Sequence, residues 1–164
     1  NLADVINSSI NELQRLSKDE NACSFHLDLQ ATELTSDPMR IKIIAHNLVS
    51  NAIKFRDHKK ESCSINIRTR KNDKSLILEV EDNGIGIEPK YLNKVWDMFF
   101  RGTSDHLGSG LGLYILKESA KAVGAEVGVK SNYGLGSVFT VSFPLTIKEA
   151  SSNRPSIDSS LLQD

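Results

Sequence analysis

No apolar stretch of this sequence approaches the roughly 18 residues a helix needs to cross a bilayer, so no membrane-spanning helix and no membrane contact are expected. Excess charge of either sign is missing too: 20 Lys and Arg stand against 21 Asp and Glu, a net charge of −1. That balance removes any bulk attraction to nucleic acid or anionic lipid, so an anionic ligand must be held by local geometry. Cysteine is scarce. Cys23 and Cys63 have neither zinc-ligand nor redox-motif spacing. They read as free thiols in a reducing compartment, with a disulfide the less favoured reading. No signal-peptide pattern precedes the first helix, and the chain opens mid-pattern at Asn1, as an excised domain would. A cytoplasmic location is therefore expected.

What is present is periodicity enough for one domain with a real core. Leu2, Val5, Ile6, Ile10, Leu13 and Leu16 fall at helical spacing, which predicts an amphipathic helix over 2–17. Phe25, Leu27 and Leu29 alternate with polar residues, the pattern of a short half-buried strand. Asp37-Pro38 has the form of a helix start, and Ile41, Ile44, Ala45, Leu48, Ala52 and Phe55 form one stripe, predicting a helix over 39–56. Strands are expected over 64–70 and 75–82, joined by a turn at 71–74, and a short helix is expected from Glu88-Pro89. Residues 101–110 have glycines and no periodicity, the signature of a mobile loop. A third long helix over 111–123 should end at Gly124, followed by strands over 126–131 and 138–143. The domain should occupy 1–148, with 149–164, rich in Ser, Asn and Asp, as a disordered tail. Paired strands with interspersed helices imply an α/β two-layer sandwich, a mixed, mostly antiparallel sheet of about five strands packed on three helices.

Several residues stand out chemically. Asn47, Asn51 and Lys54 recur at i, i+4 and i+7, within about 60° of one another on one helix face. Two amides and an ammonium so placed can meet a hard cation and phosphate charge; the plain alternative is a solvated face. Asp82 shares the inward face of its strand with Leu76, Leu78 and Val80 by period-two alternation. A coreward carboxylate needs donors, which an exocyclic purine amine would supply, although an Asp-Asn-Gly turn would also satisfy it. Gly108-Ser109-Gly110-Leu111-Gly112-Leu113 runs into a helix, where glycines permit close approach and free N–H groups attract anions. A dinucleotide-binding Rossmann turn requires a preceding strand and a different glycine spacing, so it does not fit. Gly134-Leu135-Gly136-Ser137 reads as a hairpin turn.

In order, these clusters resemble the boxes of the histidine kinase ATP-binding domain, of the superfamily shared with DNA gyrase, Hsp90 and MutL (the Bergerat-type ATP-binding fold). Residues 46–55 look like the N box, 82–87 the first glycine box, 95–102 the F box and 108–113 the second glycine box. The closing hairpin with Phe139 and Phe143-Pro144 fits as well. The resemblance runs to about Leu145, and four ordered boxes are far more specific than any one. It implies that Asn51 ligates Mg²⁺, that Asn47 orders the metal–phosphate cluster, and that Lys54 and Arg101 meet phosphate; Asn47, Lys54 and Arg101 are the implied catalytic residues. Phe55 would line the base pocket, Gly86 would let the base approach the backbone, and Asp82 would accept from the adenine amino group; Gly84, Ile87 and Phe99 would also contact the nucleotide, and backbone from Gly108 through Gly110, Leu111, Gly112 and Leu113 would bind the triphosphate. Residues 102–109 would form a short lid over ATP.

Two departures are visible. Trp96 stands where the F box usually has its first aromatic, and none of His26, His46, His58 and His106 is followed by an acidic residue, as the family's phospho-acceptor motif requires. The resemblance thus implies a sensor kinase domain that binds ATP and Mg²⁺ and phosphorylates a histidine on a separate dimerisation domain, which then serves a response regulator. This chain alone would be monomeric, with little autophosphorylation. A serine kinase of the anti-sigma-factor type and a nucleotide-sensing domain without catalysis are the alternatives.

Overall fold

The structure, a computed structural model, describes residues 1–16, 23–101 and 109–145. Its helices are α1 (Leu2–Leu16), α2 (Pro38–Lys54) and α3 (Gly112–Ala122), and its strands are β1 (Ser24–Leu29), β2 (Ser64–Lys71), β3 (Ser75–Asp82), β4 (Glu126–Asn132) and β5 (Gly136–Pro144). A short 3₁₀ turn covers Pro89–Tyr91 where a short helix was expected. The expected two-layer sandwich is what forms. The sheet order is β1-β2-β3-β5-β4, with β1 parallel to β2 and the other neighbours antiparallel.

Local sequence explains each element. The Asp37 carboxylate accepts from the N–H groups of Met39 and Arg40, and Pro38 opens α2 without losing a donor. Strand β3 alternates strictly between half-buried and buried residues, so Leu76, Leu78 and Val80 join the core formed with Ile41, Ile44, Leu48 and Leu116. Each such side chain contributes about 1.5–3 kcal/mol by leaving water. On the other face of the sheet, Arg68 pairs with Glu79 and Glu81 at 2.7 and 2.6 Å, and half-exposed pairs of this kind contribute little. Helix α2 contacts both α1 and α3, which sets its polar stripe beside the start of α3.

Two expectations need correction here. Leu27 is 42% exposed, because β1 is an edge strand and the helices do not fully cover its inner face. Cys23 and Cys63 are not free thiols but a disulfide. The parallel register sets Ser24 opposite Ser64, so the residues just before them come to a Cα separation of 4.5 Å. A spacing of 40 residues carries no hint of that pairing, since parallel neighbours are joined only by a long crossover. The expected lid falls mostly, and the expected tail wholly, outside the described residues.

Candidate nucleotide site

Beside α2, the end of β3 and the start of α3 lies a cavity of about 280 Å³. Of the residues singled out in the sequence, Asn47, Asn51, Lys54, Phe55, Asp82, Gly86, Ile87, Arg101, Gly110, Gly112 and Leu113 line it.

One end is closed and built around an acid. Asp82 is 8% exposed, and its Oδ1 accepts from the Gly84 N–H at 2.8 Å. Burial pushes its carboxyl above the usual carboxylate range, while backbone hydrogen bonds from Gly84 and Ser137 and the charge of Lys60 pull the other way. Around it the chain is tied down. The Ile85 N–H donates to the Phe55 carbonyl at 3.0 Å and the Gly134 N–H to the Ile85 carbonyl at 2.7 Å. The Ile87 N–H donates to Ser131 Oγ at 2.8 Å. Gly86, at φ +69°, lies against the Asn132 carbonyl, so any side chain there would strike the hairpin between β4 and β5. The hairpin by itself requires glycine here, independently of any approach by a base.

The other end carries positive charge without a matching acid among its lining residues apart from Glu88. Burial, and then repulsion from Arg101, holds the Lys54 ammonium below its ordinary pKa. Asn47 Nδ2 donates to the Ile43 carbonyl at 2.8 Å, which leaves its Oδ1 uncommitted to that bond. Asn51 Nδ2 is buried without a hydrogen-bond partner. Gly112 opens α3 against these amides: a methyl there would sit 3.0 Å from Asn47 Oδ1 and 3.6 Å from Asn51 Oδ1. The N-cap of α3, Leu111, offers no side-chain oxygen, so the first N–H groups of the helix lack a side-chain cap.

Three expected residues are not on the cavity wall. Phe99 is 65% exposed at φ +62°, its N–H tied to the Gly110 carbonyl, and this turn points it outward while Phe100 lines the wall and packs on Tyr91 with ring centroids 5.4 Å apart. Gly84 serves Asp82 through its N–H and packs on the Phe55 carbonyl. Leu111 caps α3 behind the wall, accepting from the Ile115 N–H. Gly108 is outside the described residues. Sequence reasoning missed Ser50, Tyr91, Val95, Tyr133 and Ser137 on the wall. Ser50 was accessible to it, lying three residues after Asn47 and four before Lys54 on the same helix; Tyr133 and Ser137 arrive only through long-range pairing of the hairpin. Trp96 keeps the role of an apolar anchor, meeting Phe139 edge to face at 6.0 Å.

An α/β sandwich with a sunken acid at one end of a cavity, and cations, amides and a helix start at the other, defines an ATP-binding domain. Known proteins agree. Residues 36–147 match the family described as histidine kinase-, DNA gyrase B- and HSP90-like ATPase. The chain is 33% identical over 129 residues to sensor protein BceS of Bacillus subtilis, covering 77% of this chain and 37% of that protein. To sensor histidine kinase RcsC of Escherichia coli it is 38% identical over 116 residues, covering 68% of this chain and 12% of that protein. The catalytic domain of histidine kinase ThkA superposes with a TM-score of 0.74 at 25% identity, covering 89% of this chain and 95% of that one. The chain belongs to the histidine kinase-, DNA gyrase B- and HSP90-like ATPase family, and it corresponds to the ATPase catalytic domain of sensor histidine kinases. It spans little more than a third of BceS and about an eighth of RcsC.

Proposed function

We propose that this domain binds ATP with Mg²⁺ and presents the γ-phosphoryl group to a histidine on a separate dimerisation domain of the same parent protein, from which a response regulator is served. The observation that carries the reading is the polarity of one cavity, with buried Asp82 at one end and Lys54, Arg101 and the start of α3 at the other. An adenine amino group donates to Asp82, Phe55 and Ile87 flank the base, and the triphosphate reaches toward the cations. Phosphoryl transfer depends mainly on positioning and neutralisation of charge. Lys54 and Arg101 supply fixed charge, and the free N–H groups of α3 orient oxygens.

The metal reading rests on the amides. Asn47 and Asn51 each bring an amide oxygen to the start of α3, while the unpartnered Asn51 Nδ2 is a donor suited to a phosphate oxygen. Among the described residues no group of three His, Cys, Asp or Glu could hold a metal alone. That donor set suits Mg²⁺, which takes few protein ligands and completes its shell with water and phosphate. When bound, it neutralises charge on the phosphate oxygens. Asn51 would hold it and Asn47 would steady the cluster.

No helix among the described residues is long and apolar enough to cross a membrane. The Cys23–Cys63 bond removes the free-thiol argument for a reducing compartment; we place the domain in the cytoplasm because ATP is supplied there, and as a monomer when separated from its dimerisation domain. Calorimetric titration with ATP, with and without Mg²⁺, tests the reading: micromolar binding that strengthens with Mg²⁺ supports it, and absence of heat overturns it. A longer chain carrying the acceptor histidine should then form acid-labile phosphohistidine from labelled ATP, whereas this chain alone should not.

A further inference from the structure

Lys60 lies in the link between α2 and β2, outside every sequence motif noted above, and lines no part of the cavity. Its ammonium donates to three backbone carbonyls: Asn83 at 2.7 Å, Gly84 at 3.2 Å and Leu135 at 3.3 Å. An ammonium has three protons, so one side chain spends its whole donor capacity on two loops. The first two carbonyls belong to the turn that leaves β3, and the third belongs to the hairpin that carries Tyr133 onto the cavity wall.

The Asn83 carbonyl and the Gly84 N–H belong to one planar peptide unit. Lys60 grips the oxygen of that unit at 2.7 Å, while its N–H donates to Asp82 Oδ1 at 2.8 Å. A cation on the oxygen polarises the amide and strengthens the bond on its other side. The turn is held from the β2 side as well. Asn83 Nδ2 donates to the Ser62 carbonyl and Asn83 Oδ1 accepts from the Ser64 N–H, each at 2.9 Å.

We infer that Lys60 is a positioning residue for base recognition, fixing Asp82 through the Asn83–Gly84 peptide and fixing the hairpin wall through Leu135. This inference rests on the nucleotide reading given above. It assigns Lys60 no contact with ATP and no part in phosphate binding. Its removal should therefore damage discrimination between bases and leave the phosphate end intact.

Inosine triphosphate isolates the effect, because it carries an oxygen where adenine carries the exocyclic amine. The dissociation constants of ATP and inosine triphosphate, both with Mg²⁺, should be measured for the wild-type chain, Lys60→Met and Lys60→Arg, with melting temperatures alongside. In Lys60→Met, ATP affinity should fall about tenfold, the effect of losing a charged hydrogen bond, and inosine triphosphate affinity less than about threefold. Lys60→Arg should restore most of the preference. Unchanged ATP affinity in Lys60→Met, or equal losses for both nucleotides, overturns the inference while the nucleotide reading stands. A wild-type chain that binds neither nucleotide overturns both. Should Lys60→Met fail to fold, Lys60→Gln, which keeps a short donor, is put through the same comparison and judged by the same outcomes.

Discussion

The two ends of the cavity are finished to different degrees. At the base end, Asp82, Ser131 and Ser137 have partners, and three loops are bonded to one another before any ligand arrives. At the phosphate end, an Asn51 amide is unpartnered, Lys54 and Arg101 repel, and Phe99 sits at positive φ. The lesson is a division of labour. Base selection is preorganised and stabilised by the fold, whereas the phosphate end is completed by ligand and ions.

The largest test of that contrast is Asp82→Asn. It should weaken ATP binding about a hundredfold or more, because the replacement amide sets its own N–H groups against the adenine amine. Its stability should move the other way. An acid whose folded pKa lies above the unfolded value favours folding when protonated, and that advantage is lost as pH rises from the unfolded pKa through the folded one. At pH 7 wild type therefore carries the burial cost, and Asp82→Asn should melt at the same temperature or higher. As pH drops below the folded pKa of Asp82, the difference in melting temperature between the two should shrink. A variant that binds ATP as tightly as wild type would remove the acid from base recognition.

Next comes Asn51→Ala, which should cost about tenfold in ATP affinity with Mg²⁺ and almost nothing in the presence of a chelator. Equal losses in both conditions would mean that the amide supports packing instead of metal. Lys54→Met should cost several-fold for ATP, and the loss should shrink at high salt because charge at the open end is screened. Salt-independent loss would point to the packing of its stem on Phe55, over whose ring the ammonium lies at 5.0 Å. Smallest for binding, though not for stability, is reduction of Cys23–Cys63. Urea unfolding with and without a reductant should differ by about 2–4 kcal/mol, with ATP affinity changed less than twofold.

This division also decides what could be read in advance. Helix α2 was legible because its cap, its apolar stripe and its polar stripe all lie within one stretch, and Asp82 was legible from strand alternation alone. Gly112 was expected to meet phosphate, and it lines the cavity, yet its need to clear Asn47 follows from helix packing that no local pattern encodes. Gly86 was assigned to the base and does line the cavity, but the hairpin that also forbids a side chain there could not be foreseen from the local motif. Phe99 was placed on the wall and its neighbour Phe100 occupies it, because a single left-handed residue swaps the two directions. The disulfide, Tyr133 and Lys60 depend on strands and loops meeting across 23 or more residues, beyond the reach of periodicity.

The Cys23–Cys63 bond has a mechanical consequence. It closes a loop that contains β1 and all of α2. Tension entering along α1 would pass at Cys23 straight across to Cys63, and the helix bearing Asn47, Asn51 and Lys54 would lie in an unloaded side branch. Single-molecule stretching should reveal it: the oxidised chain should yield on the order of 140 Å less length than the reduced one, about 3.6 Å for each of the 40 residues spanned. Equal lengths would show that the load still travels through α2.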